Sequence, residues 1–293
     1  MAGGAGIQGG DGGERAFRLA ASAPGAVVTL VLILFALALL VGLSFRVNDG
    51  SLFGAGFTLD NFATVGTDPL YAMVIARSLT IAGLVTLATV ATAYPVAYWL
   101  SFHAGRRRAL VLFLVTLPFW TSYLLRVFAW KIVLAYNGVL NSAFTATGLW
   151  DTPSTALLNT PAAVVLTLAH AYAPFAILPI LVSLDTIPRS LTEAAADLGA
   201  RPFTTFRRVI LPNSMPGVLA AAVVVFVPTV GDYVTPALVG GPSSTMIGTL
   251  IQAQFGKAQD WPFGAALAVV VMAVILAAIL LVRLGDRRFG SRT

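Results

Sequence analysis

The sequence has no cysteine, and only 10% of its 293 residues are charged. Without thiols there is no disulfide framework, redox centre or thiolate metal site. With charge so sparse and hydrophobic residues at 58%, laid out in long blocks instead of amphipathic stripes, a water-soluble fold is excluded and a polytopic membrane protein indicated. Histidine is nearly missing as well: His103 and His170 are the two present, too few for a metal site, and His170 reads as a hydrogen-bonded polar residue inside a bundle. A phosphate loop is also lacking. Gly256 and Lys257 resemble the end of one, but Ile251 stands where the first glycine belongs and Ala258 where Ser or Thr must follow. No histidine lies near a G-x-S-x-G nucleophile pattern, and Asp232 is the only acid deep in an apolar block, with Asp185 at a boundary. No catalytic residue is therefore assigned. The net charge of +6 does not indicate nucleic acid here, because in a membrane protein the placement of charge matters more than its sum.

What is present is a succession of spans. Residues 1–23, rich in glycine and alanine, read as a flexible tail, and residues 24–293 as one six-helix domain. The run from Pro24 to Phe45 is longer than a signal-peptide core and predicts a retained first span. Further spans are predicted over 78–100, 109–134, 161–184, 217–238 and 263–284, each long enough for a bilayer core of about 30 Å. Taking the connections alternately, one side collects thirteen arginines, from Arg15 to Arg292, and the other only Arg46, Arg77 and Lys257. That imbalance predicts both termini in the cytoplasm. Of the outer connections, 46–76 reads as a partly ordered cap, 135–160 as holding a short surface helix, and 239–262 as a Gly/Pro/Ser-rich link with Trp261 an interfacial anchor.

Polar residues inside spans are costly and so informative. Arg126 and Asp232 fall at similar depth in the third and fifth spans, which allows either a structural ion pair or a role in lining a translocation path. Tyr123, Arg126 and Trp130 share a helical face, and with Trp120, Asp232 and Tyr233 they form the candidate path. Prolines in several spans, among them Pro95, Pro118, Pro174, Pro179, Pro228 and Pro236, fit a bundle that moves or encloses a cavity.

The longest polar-mixed stretch between two apolar blocks, within 187–214, reads as helix, elbow, helix. Ser190 with Glu193 matches a capping box, Leu191, Ala194, Ala195 and Leu198 make a small apolar face, and Gly199 stops the helix. Pro202 suits the start of a second short helix, which Pro212 is expected to end.

EAAADLG from Glu193, nine residues from Ala200 to Arg208, and then VILP resemble the EAA loop of bacterial ABC importer permeases, with Val209 for isoleucine the one departure. PFWTSYLLRVFAWKIVLAYNGVLN from Pro118 and GDYVTPALVGG from Gly231 are similar to the branch that includes the spermidine and putrescine importers. The resemblance implies an all-α type I permease fold in the bacterial cytoplasmic membrane. It also implies a second similar permease subunit, two copies of an ATPase that uses ATP and Mg, and an external solute-binding protein. This chain itself would hold no cofactor. Glu193, Ala194, Ala195, Leu198, Gly199, Ala200, Phe203 and Phe206 are the residues implied to meet the ATPase. Other small solutes, amino-acid-like compounds or phosphonates, stay open beside polyamines, as does a stand-alone channel or carrier.

Overall fold

The computed structural model describes residues 11–51 and 54–290, and among these it is helical apart from one isolated bridge, Val47 with Ala55. The chain runs through α1 (Asp11–Ser44), α2 (Asp60–Thr67), α3 (Pro69–Phe102), α4 (Arg108–Thr116), α5 (Tyr123–Leu134), α6 (Val139–Ala146) and α7 (Pro161–Asp185). It continues with α8 (Arg189–Asp197), α9 (Pro202–Thr205), α10 (Leu211–Val230), α11 (Val234–Val239), α12 (Ile247–Ala253) and α13 (Trp261–Gly290). Six helical segments among the described residues are long and apolar enough to cross a membrane. The expected short helix within 135–160 is α6.

Several boundaries differ from the sequence reading. Part of the expected flexible tail is helix, since α1 begins at Asp11; residues 1–10 lie outside the described residues. The second span starts earlier than expected, at Pro69, where the Asp68 carboxylate caps it by accepting from the Leu70 amide at 2.8 Å. The third span is not one helix. Beyond α4 the chain tightens into a 3₁₀ turn, Leu117–Trp120, and goes extended at Thr121 (ψ 151°) before α5 starts. Pro118 is the cause: it offers no amide to the α-helical ladder and favours the tight turn. The fifth span breaks likewise, between α10 and α11 at Gly231–Tyr233.

The core is a three-helix packing of α3, α7 and α10, with Val85, Ala93, Ala97, Val164, Leu168, Ile180, Ala221 and Val225 fully shielded. Small residues set the closest approach. At Gly217 on α10, a methyl group would meet the Ser183 side chain and stand 2.6 Å from the Pro179 carbonyl oxygen on α7. A second, smaller core gathers Val74, Ala82, Val230, Ile247, Phe263 and Leu267 from α3, α10, α12 and α13. Buried Ser78 knits that core together, because its hydroxyl accepts the otherwise orphaned Ile247 amide at the start of α12 (2.7 Å) and donates to Val74 O. By contrast α1 lies against α13 with most of its leucines and valines about half exposed, the pattern of a helix whose solvent is lipid.

The ends of the bundle differ in charge. Asp185, closing α7, accepts from Ser101 near the end of α3 at 2.8 Å and pairs with Arg108 at the start of α4. This clamp places Arg106, Arg107 and Arg108 at the same end as α8 and α9, which carry Arg189 and Arg201 and lead to Arg207 and Arg208. It is called the basic end below.

Candidate functional site

Two regions hold the residues singled out from the sequence. The first is the elbow at the basic end. Pro188, with φ −60° and ψ 132°, is itself the residue before α8, so Ser190 lies inside the helix and the expected capping box does not form. The reason is steric: a proline disfavours helical geometry in the residue ahead of it, so the helix cannot begin earlier, and Pro188 takes the cap position. Glu193 is consequently exposed, and its carboxylate has no partner among the described residues.

The other end of α8 behaves as expected. Gly199 takes φ +78°, its amide bonds to Ala196 O (2.8 Å) and the Ala200 amide to Ala195 O (3.0 Å), which is the paired closure of a Schellman motif. Leu198 is thrown outward, 89% exposed, and Phe203 on α9 is 72% exposed. Ala194 and Leu191 are exposed beside them and Ala195 is half-buried, so most of the small apolar face of α8 is left open by the described residues.

Phe206 is half-buried behind that surface, its ring stacked on that of Phe203 at 6.5 Å between centroids. It packs edge-on against Tyr94 and Tyr98 of α3, both at 5.9 Å between ring centroids, and so anchors the elbow to the bundle. Pro212 does not end the second helix either. Phe206–Ile210 forms a π turn that leads directly into α10, and the Leu211 amide reaches back to Phe206 O. The widened turn relieves the clash between the Pro212 ring and the carbonyl four residues earlier, so the helix passes through the proline.

The second region is the pair of helix breaks. Asp232 sits in the gap between α10 and α11, 8% exposed. Its Oδ1 accepts from the Val234 amide at 3.0 Å, capping α11, and its Oδ2 accepts from the Tyr123 hydroxyl at 2.7 Å. The same hydroxyl lies 2.6 Å from Thr235 Oγ1. A knot of three side chains thus ties the start of α5 to the start of α11, and each discontinuity is held by the other. Gly248 on α12 backs the knot, since a methyl group there would stand 2.9 Å from the Asp232 carbonyl oxygen.

The Arg126–Asp232 ion pair, one of the two alternatives that equal depth allowed, does not form among the described residues. Arg126 Nη1 reaches Ala171 O on α7 at 3.4 Å, and its guanidinium lies 6.0 Å from the Tyr123 ring centre. Equal depth was the right geometry for pairing, but the tyrosine and the backbone amides at the break satisfy the carboxylate first. Trp130 donates its indole N–H to His170 Nδ1 at 3.1 Å, so His170 is hydrogen-bonded as expected, though at an exposed position. Trp120 (79% exposed) and Tyr233 (46% exposed) stand apart from the knot on the surface. The sequence reading missed Thr235, Ser78 and Asn141. Asn141, fully buried, donates to Ala135 O and Ser154 O and accepts from the Ser154 amide, folding 135–160 onto itself. A buried asparagine close behind Gly138, in N-G-V-L-N, was the available signal.

Apolar surface left open at its basic end gives this helical membrane bundle a face for a neighbour, and its class is that of a membrane subunit of a larger assembly. Residues 14–291 match the family described as the binding-protein-dependent transport system inner membrane component, and the chain belongs to it. It is the permease subunit of an ABC importer, a multi-pass protein of the inner membrane. The spermidine/putrescine transport system permease protein PotB of Escherichia coli K12 is 38% identical over 262 residues, 87% of this chain and 94% of that protein. The PotB of Haemophilus influenzae is 37% identical over 242 residues, 81% and 84% of the two chains. Among solved structures, a chain of a bacterial alginate ABC transporter, in complex with an alginate pentasaccharide-bound periplasmic protein, superposes with a TM-score of 0.72 at 19% identity, covering 94% of this chain and 96% of that one. At that identity the likeness speaks for the fold.

Proposed function

We propose that this chain forms half of the translocation path of a polyamine importer for spermidine or putrescine, and that an ATPase subunit drives it through the elbow of α8 and α9. The observation that carries the coupling is the uncovered face of that elbow. Leu198 and Phe203 present large apolar groups to solvent at the water-facing end of a membrane protein, where no described residue covers most of their surface. Ala194, Ala195, Gly199 and Ala200 keep the surrounding surface low enough for a groove to close over it, and Glu193 adds an exposed carboxylate for a partner cation. The thirteen-to-three imbalance of basic residues supports a cytoplasmic position for this end and for both termini.

In this reading a second, homologous permease completes the path, two ATPase copies hold ATP and Mg, and a binding protein outside delivers the solute. The polyamine assignment rests on the extent of identity to the PotB chains. Within the path, Tyr123, Trp120, Trp130 and Tyr233 offer aromatic faces that suit an organic cation. Asp232 acts on that path indirectly, because both its oxygens are occupied in shaping the two helix breaks.

The test is made on the whole transporter in proteoliposomes, with Glu193→Ala and Leu198→Asp introduced separately. Both variants should reach the membrane, while ATP hydrolysis no longer drives uptake of labelled putrescine. Normal uptake by both would reject the coupling role. Failure of the associated binding protein to bind any polyamine would reject the solute while leaving the coupling intact.

A further inference from the structure

Arg126 has a charge that the Tyr123 ring, 6.0 Å from the guanidinium, and one backbone carbonyl answer only in part. Among the described residues no carboxylate stands within salt-bridge distance of it. Its single hydrogen bond, from Nη1 to Ala171 O, is long at 3.4 Å, and Nε is buried without an acceptor. Nη2 has no protein acceptor either and is not buried, so it is the open corner of the group. Nε shares an edge of the guanidinium with it but is enclosed by this chain, so an anion from outside meets Nη2. The side chain also belongs to the first turn of α5, where the helix dipole disfavours a cation. An unpaired arginine inside a bilayer is costly, so this arrangement calls for an anion from outside the chain.

Position on the helix says where the anion comes from. Arg126 lies on the margin between the buried stripe Val127 and Leu134 and the exposed stripe Leu125 (66%) and Ile132 (68%). Its outward neighbours one turn away, Ser122 and Ala129, are small and exposed, which lets the backbone of another helix come close. An apolar stripe of this width beside a cation answered only in part matches a second membrane helix that carries an acid.

We propose that Arg126 pairs with a membrane-embedded Asp or Glu of the second permease subunit, across an interface formed by the α5 face. This rests on the chain being one of a permease pair and is independent of which solute is carried. It also reconciles a fixed positive charge near the proposed path with passage of a polycation, because the pair is neutral.

The absence of native cysteine makes the test direct. In the complete transporter, Arg126→Cys is combined with a cysteine-free second permease in which each intramembrane Asp or Glu is changed to Cys in turn, and a short bifunctional thiol reagent is applied. One position should cross-link. Separately, Arg126→Glu should lower putrescine uptake at least tenfold, and changing the cross-linking acid to Arg should bring uptake back to within threefold of the parent. Absence of any cross-link, or normal uptake with Arg126→Glu, overturns the proposal. So does loss of uptake that no acid-to-Arg change repairs, since Arg126 would then meet the solute or a lipid headgroup. If Arg126→Glu fails to accumulate, Arg126→Gln is compared with and without neutralisation of the partner acid. Recovery of assembly on removing both charges supports the pair, and equal assembly of the two overturns it. A binding protein that ignores polyamines would sink the solute assignment and leave the cross-link standing.

Discussion

The hydroxyl of Tyr123 has two partners in the knot, and both are on the far side of a helix break. Tyr123→Phe keeps the ring but leaves Asp232 Oδ2 buried with no donor, which should cost about 1–3 kcal/mol. The expected result is a lower thermal midpoint in detergent. Asp232→Asn should be milder than Asp232→Ala, because the amide oxygen still caps α11, and a lost cap alone is worth about 1 kcal/mol. Gly199 makes the complementary case. Space around it is open, so the obstacle to a side chain is its left-handed backbone and not crowding. Gly199→Ala should therefore destabilise the elbow by about 1 kcal/mol, with Gly199→Asn less affected, as judged by proteolysis of the loop. Gly199 was legible in the sequence as a helix stop. The Asp232 network was not, since a sequence shows an acid in a span but not that backbone amides at a break would claim it before Arg126 did.

At the scale of elements, continuity was the hardest feature to read. Spans four and six follow hydropathy closely, because nothing interrupts their apolar runs. Spans three and five are also predominantly apolar, span three despite Arg126 and Lys131, yet each is divided, at Thr121–Ser122 and at Gly231–Tyr233. Pro118 and Gly231 were visible beforehand, but Pro174 and Pro179 lie within an unbroken α7, so a proline alone does not announce a break. Pro212 gave the opposite error, a stop that the π turn absorbs. The packing of α7 on α10 is open to a direct check. Gly217→Ala should force the two helices apart at Ser183 and Pro179 and lower stability by about 1–3 kcal/mol, seen as a reduced detergent melting temperature. Ser78→Ala should loosen α12 by exposing the buried Ile247 amide without an acceptor, and hydrogen exchange at that amide would report it.

For the whole molecule, the division between anchoring and presenting aromatic residues at the basic end sets the expected phenotypes apart. Phe203→Ala should weaken co-purification with the ATPase and leave the thermal stability of the isolated permease within experimental scatter. Phe206→Ala should do the reverse first, lowering stability by about 1–3 kcal/mol as the Tyr94 and Tyr98 rings lose their half-buried neighbour. Had the sequence motif been taken at face value, the two phenylalanines would have been expected to act alike. The Asp185 clamp with Ser101 and Arg108 is partly exposed and worth little energy, about 0–1 kcal/mol. Its effect is positional, since it fixes the ends of three helices beneath the elbow.

The passage of α9 through the π turn into α10 gives the molecule a single strut. Pro202–Val230 is one apolar helical run of 29 residues, roughly 43 Å long at 1.5 Å per residue, with the exposed Phe203 near one tip and the Asp232 knot just past the other. No loop interrupts it. A tilt imposed at the water-facing tip is therefore delivered to the junction with Tyr123 as a sideways swing, its size set by where along its length the strut is pinned, and Gly217 against α7 is the tightest pin described. Wedging that contact would shift the fulcrum as well as cost stability.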